Sequence, residues 1–259
     1  MHKFLAGSIA LTLFSVGAFA QNNRVADQNN VGWFTNNTTF QLTKKWGIHA
    51  EYQWRRDDFV TNWQQSLARF GVNYQVAPGV LLRAGGAYID TYNYGDIPLQ
   101  AAGRTFPEYR TFQMVQLAEK KGRVEFSHRF MLEQRWVKSF SDASLPKADR
   151  TTYQNRLRYM FRMQVPLNKP TMTNNTFYAA AYDEIFIGFG ENVNANVFDQ
   201  NRLGLLLGYR FNNTVRVEGG YFNQIVQLGR LVNNRNVFQY NGGFIINSFI
   251  NLDLQKKKK

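Results

Sequence analysis

The sequence predicts an all-β fold, a transmembrane antiparallel up-and-down β-barrel of about 12 strands, with about 10 as the alternative. Three observations lead there: side chains that alternate between apolar and charged, an export leader followed by no apolar helix, and connections that alternate between short and long.

The alternation is clearest in Gly122 to Trp136, GRVEFSHRFMLEQRW. Val124, Phe126, Phe130, Leu132 and Trp136 share one parity, whereas Arg123, Glu125, Arg129, Glu133 and Arg135 share the other. Successive side chains of a strand point to opposite faces, so one face is apolar and the other densely charged. A soluble sandwich would scatter varied polar residues over its outer face. Arg and Glu recurring in strand after strand suit charges that meet one another around a lumen, with the apolar face turned to lipid.

The leader explains where such strands would live. His2 and Lys3 precede an apolar or small run, Phe4 to Phe19, and Ala18-Phe19-Ala20 is a small-x-small cleavage site. Residues 1–20 therefore read as a signal peptide cleaved after Ala20, 21–254 as an outer-membrane barrel domain, and 255–259 as a basic tail in which Lys256 to Lys259 are solvated. A retained membrane helix is disfavoured, because the run is short and leads directly into Gln21, Asn22, Asn23 and Arg24. The chain has no Cys, which removes an acylated-Cys lipoprotein anchor, a disulfide framework and a thiolate metal site.

No later run of about 18 apolar residues occurs, so a helical membrane protein is excluded. Aromatics reach 15%, with 22 Phe, 13 Tyr and 5 Trp, as interfacial girdles require. A formal charge of +13 would suggest nucleic acid in an unexported chain. Behind a signal peptide, the expected partners of the basic groups are lumen carboxylates and the phosphates of outer-membrane lipids and lipopolysaccharide, with no nucleic acid. The expected location is the outer membrane of a Gram-negative bacterium.

In chain order, strands are predicted over Val31 to Leu42, Trp46 to Arg55, Gln64 to Val76, Val80 to Tyr92, Glu108 to Leu117, the Gly122 to Trp136 segment, Tyr153 to Gln164 and, less regularly, Phe177 to Phe189. In Tyr153 to Gln164 the parity of Leu157, Tyr159 and Phe161 opposes that of Arg156, Arg158 and Arg162. Further on, Leu203, Leu205, Leu207 and Tyr209 oppose Arg202 and Arg210, with Gly204 and Gly208 on the inner side. Val215 to Val226 sets Val217, Tyr221 and Ile225 against Arg216, Glu218 and Gln224. The last strand has the cleanest lipid-facing row: Phe238, Tyr240, Phe244, Ile246, Ile250, Leu252 and Leu254.

Trp46, Trp54 and Trp136 are the expected interface aromatics. Trp46 and Trp54 share a face and lie roughly 26 Å apart along a strand, or about 20 Å in height at a ~40° tilt, one near each interface. Short connections fall at Lys44-Lys45, Ala77-Pro78-Gly79, Lys120-Lys121-Gly122 and Asn212-Asn213, and long ones at Tyr92 to Pro107, Val137 to Arg150, Gly190 to Asn196 and Gly229 to Asn236. Short turns belong on the periplasmic side of such a barrel. Eleven alternating segments are legible, yet even strand numbers are the rule for single-chain bacterial barrels. A further strand within residues 21–30, a first segment that does not span, or a chain that starts inside the lumen would reconcile the two.

Several pieces resemble the family registered as domain of unknown function 2490, outer-membrane barrels common in Bacteroidota. They are PEYRTFQ at Pro107 to Gln113, HRFMLEQRW at His128 to Trp136, RLRYMFRMQVPL at Arg156 to Leu167, YDEIF at Tyr182 to Phe186, QNRLGLLLGY at Gln200 to Tyr209 and GGYFNQ at Gly219 to Gln224. Their order along the chain carries the resemblance, which implies the architecture and brings no activity with it.

The candidate site is the lumen. Arg110, Arg123, Arg129, Arg135, Arg156, Arg158, Arg162, Arg202, Arg210 and Arg216 are expected to face Glu108, Glu125, Glu133, Glu184 and Glu218. Guanidinium forks match carboxylates in pairs, and a low-dielectric interior strengthens those bonds. The network reads either as a structural plug or, because arginines outnumber carboxylates, as a small anion-preferring, porin-like pore. No catalytic residue, cofactor or metal site is expected.

An outer-membrane lipid hydrolase is the alternative enzyme class, and it would need an activated Ser with a His base. Ser127 and His128 are adjacent and so point to opposite faces. His49 shares the inner parity with Glu51 but lies near the periplasmic turn, and no G-x-S-x-G is present. A third possibility is an envelope scaffold or loop-mediated binding protein, since Tyr88, Asp90, Tyr92, Tyr94 and Asp96 mix aromatic and acidic groups suited to a sugar or a protein, with none singled out as an anchor.

Overall fold

A computed structural model describes residues 24–193 and 196–255. The expected signal peptide and the expected solvated tail, Lys256 to Lys259, lie outside the described residues. The chain forms β1 (Arg24–Gln41), β2 (Trp46–Asp57), β3 (Asn62–Ala77), β4 (Val80–Thr91), β5 (Phe106–Lys121), β6 (Val124–Ser139), β7 (Arg150–Pro166), β8 (Thr176–Phe189), β9 (Phe198–Arg210), β10 (Val215–Val232) and β11 (Arg235–Asp253). Each strand pairs with its chain neighbour in antiparallel register, and β1 closes on β11. The expected all-β barrel is what the chain forms, and closure leaves no sheet edge.

Among the described residues the barrel has eleven strands, between the about 12 expected and the alternative of about 10. Residues 24–30 do not make a separate strand; they lengthen the first one toward the long-loop end. An odd meander brings its first and last strands round pointing the same way, so β1 and β11 pair in parallel from Arg24↔Asn236 to Gln41↔Asp253. Every other strand pair is antiparallel, as expected, and this seam is the parallel one among the described strands.

Two connections also differ from expectation. Gly229 to Asn236 is not a long loop: β10 and β11 run on to the two-residue turn Asn233-Asn234, whose φ values of 50° and 58° give the hairpin geometry that matches right-handed strand twist. Conversely, residues 167–175 form a longer connection at the short-turn end.

The period-two pattern sets the faces as read. Outside, Phe70 is 62% and Leu207 67% exposed, an arrangement that water alone would penalise. Trp46 packs against Tyr74 in a tilted pair, and Phe177, Tyr209 and Phe211 pack together, all toward the short turns. Toward the long loops lie Trp54 with Phe34 and Trp63, and Trp136 with Tyr153. Polar groups on the outer face satisfy one another: Thr111 and Gln113 bond Gln134, and Asn201 donates to Asp183 at 2.8 Å. Inside, an apolar cluster of Val31, Trp33, Tyr178, Leu206, Phe222 and Ile245 fills part of the lumen.

Candidate functional site

Because β5, β6 and β7 are in register, Arg110 lies beside Arg135, and Glu133 beside Arg156. Glu108 receives both forks: Arg110 Nε and Nη2 at 2.5 and 2.9 Å, and Arg135 Nε and Nη2 at 2.6 and 3.1 Å. Glu133, 1% exposed, accepts from Arg156 Nε at 2.9 Å and from Arg158 Nη1 at 2.7 Å. Arg158 continues to Glu184 at 2.7 Å, which also accepts from Arg129 at 2.8 Å. Each carboxylate thus gathers two guanidinium groups, the arrangement that offsets desolvation of buried ions.

Other bonds cross the lumen and skip strands. Arg162 of β7 grips Glu218 of β10 at 3.0 and 2.6 Å, with Tyr178 donating to the same carboxylate at 2.8 Å. Arg135 of β6 reaches Asp199 of β9 at 3.4 Å, and Arg69 of β3 comes within 3.9 Å of Glu133 of β6. These chords fill the middle of the barrel.

Not every expected member joins. Arg123 donates to the carbonyls of Pro166 and Lys169, and Arg210 to that of Met172, so both brace the short-turn rim. Glu125 is held by Gln164 at 2.7 Å. Arg202 bonds neutral Gln200, and Arg216 lies 4.1 Å over the Phe249 ring. Trp46, Trp54 and Trp136 all belong to the outer face.

Three members were missed. Arg69 binds Glu51 at 2.7 Å, and His49 contacts Glu51 at 3.4 Å. The inner parity of Arg69, opposite Glu51 in the ladder, is the signal that points it into the lumen. Arg55, 3.9 Å over Trp33, bonds Gln53 and Gln65 and likewise follows inner parity. Asp199 is different: its parity points outward, but the register shifts between Phe186 and Ile187, and it turns in to take Arg156 Nη1 at 2.6 Å.

Among the described residues neither His49 nor His128 hydrogen-bonds a serine. Ser127 lines the lumen, while His128 sits outside with Nδ1 2.9 Å from the Tyr159 hydroxyl.

The first long loop covers its end of the barrel instead of standing free. Asp27 accepts from the N–H groups of Asp96 and Ile97 at 3.4 and 3.2 Å, and Arg230 donates to Pro98 O at 2.6 Å. Tyr94 donates to Gln239 at 2.9 Å, and burial pushes its hydroxyl pKa up to about 12. Arg104 ties the loop to the next one through the carbonyls of Ala143 and Leu145.

No curated protein matches the chain. The family model described as "Protein of unknown function (DUF2490)" matches residues 30–235, which hold every lumen ion pair described above, and the chain belongs to that family.

Proposed function

We propose that this protein is an outer-membrane β-barrel whose lumen is closed by an Arg/Glu plug, with short turns in the periplasm and the first long loop capping the outer mouth. The observation that carries the closed reading is Arg156, 2% exposed, which bonds Glu133 and Asp199 together in mid-lumen. An ion path would have to break bonds between groups already removed from water, each strongly coupled to its neighbours. The apolar outer belt and its two aromatic zones support insertion in a bilayer. The plug leaves a structural role, without conduction, as the best reading.

Reconstitution of the mature chain in planar bilayers tests it. The expected trace is silent at moderate voltage. Stable unitary conductance would overturn the plug, and a preference for anions that disappears when Arg156, Arg158 and Arg162 are neutralised together would install the pore in its place.

A further inference from the structure

The lumen is filled unevenly. Below the plug, a cavity of about 500 Å³ reaches the short-turn end, where Ala118, Lys120 and Glu125 form its rim. Its floor is the underside of the plug, including Arg69, Arg129, Arg158 and Arg202. Its side is apolar where Trp33, Phe222 and Ile245 meet.

The floor carries more cationic donors than acceptors. Among the described residues the Arg202 guanidinium hydrogen-bonds only Gln200, at 3.1 and 2.8 Å, and lies 5.0 Å from the Trp33 ring centre and 4.6 Å from that of Phe186. Among the described residues no carboxylate comes within ion-pair distance of it. The buried Nε–H groups of Arg69 and Arg129 have no acceptor. Glu51 and Glu184, the carboxylates beside this floor, are already held, the first by Arg69 and the second by Arg129 and Arg158. A partly desolvated guanidinium without an anion is costly, and an acceptor supplied from outside would relieve it.

Register gives the cavity its polarity. Arg202 pairs with Gln224, whereas Arg216 at the open end pairs with Arg210, so floor and mouth are separated by roughly 26 Å of strand, or about 20 Å of height at a ~40° tilt. Trp33, Phe222 and Ile245 lie between them. A cationic floor beneath an apolar flank suits a ligand with one anionic end and an aliphatic body.

We propose that the vestibule binds a single-chain amphiphilic carboxylate head-down, its carboxylate on the guanidinium groups of Arg202 and Arg129 that line the cavity and its chain along Trp33, Phe222 and Ile245. The inference rests on the fold and the plug; only the side from which the ligand enters depends on the outer-membrane reading.

Trp33 offers a local reporter, because Trp46, Trp54, Trp63 and Trp136 are on the outer face. The mature chain in phosphatidylcholine nanodiscs is titrated with 8-bromo-octanoate while tryptophan emission is followed; flotation separately reports insertion. The expected result is a saturable quenching component, competed by octanoate but not by octanol or octylamine, and absent in Trp33→Phe. Arg202→Gln should weaken it about tenfold, the usual scale for losing one charge-assisted bond. Should Arg202→Gln fail to fold, judged by heat-modifiable mobility, Arg129→Gln carries the same expectation. No saturable component in the wild type, equal quenching in Trp33→Phe, unchanged affinity in the folded arginine variant, or equal competition by octanol would each overturn the proposal.

Discussion

Arg156 reaches Glu133 with two nitrogens, Nε at 2.9 Å and Nη2 at 2.5 Å, while its third nitrogen crosses to Asp199. One side chain therefore joins β6, β7 and β9 without passing through the backbone ladder. Glu133→Leu leaves Arg156 with Asp199 alone and removes a partner from Arg158. The expected loss is about 3 to 5 kcal/mol, the scale for uncoupling a buried ion pair. Heat-modifiable electrophoresis should show a lower unfolding temperature. An unchanged temperature would mean that water reaches Glu133, contrary to a plugged lumen.

The parallel seam can be trapped chemically. Asn36 Nδ2 donates to Ser248 Oγ at 2.9 Å, and the two are register partners across β1 and β11. With no native Cys to compete, Asn36→Cys/Ser248→Cys should form a disulfide on mild oxidation and speed migration of the unfolded chain in electrophoresis. Asn36→Cys/Phe244→Cys, displaced along the same strand pair, should not.

The lipid-facing register of β11 is open to spin labelling. Ile246 is 40% exposed and Ile245 only 7%. Nitroxides at Phe244 and Ile246 should collide readily with oxygen dissolved in the bilayer, and those at Ile245 and Asn247 should be shielded. Equal accessibility at both parities would remove the membrane reading of this strand.

Gly204 is where the inner wall admits a neighbour. A Cβ there would lie 2.2 Å from the Tyr182 ring, which belongs to its register partner on β8. Gly204→Val should expel that ring and destabilise the barrel by about 1 to 3 kcal/mol, the cost of overpacking. Adding Tyr182→Ala should recover part of the loss, and a double-mutant cycle measures the coupling.

The cap depends on Asp27. Asp27→Ala removes the acceptor for two loop N–H groups and for Gln239 Nε2. Hydrogen bonds to a charged group contribute about 1.5 to 3 kcal/mol, so trypsin should cut after Arg104 roughly ten to a hundred times faster in the variant when loop opening precedes cleavage. Indistinguishable rates would show that Asp27 does not hold the loop.

Face assignment was legible in the sequence because the pleat is local. A strand residue points opposite to its neighbours whatever it pairs with, so Arg110, Glu133, Arg156, Glu184 and Glu218 could be turned inward from parity alone. Eleven segments could likewise be read, but a general preference for even barrels argued against accepting them as the whole set. Parity failed where the ladder itself shifts: Asp199 occupies such a position, and so does Gln64, buried against the Trp33 indole at 2.6 Å, beside the irregularity at Arg55/Arg56.

The sequence by itself determined the strands, their two faces and the charged character of the lumen, since these follow from residue order within a few positions. Only the tertiary structure decided that β1 meets β11 in parallel, that Arg162 finds Glu218 three strands away in the chain, and that the first long loop folds onto Asp27. Those contacts depend on strand number, stagger and curvature summed around the whole barrel, and no local pattern of side chains encodes that sum.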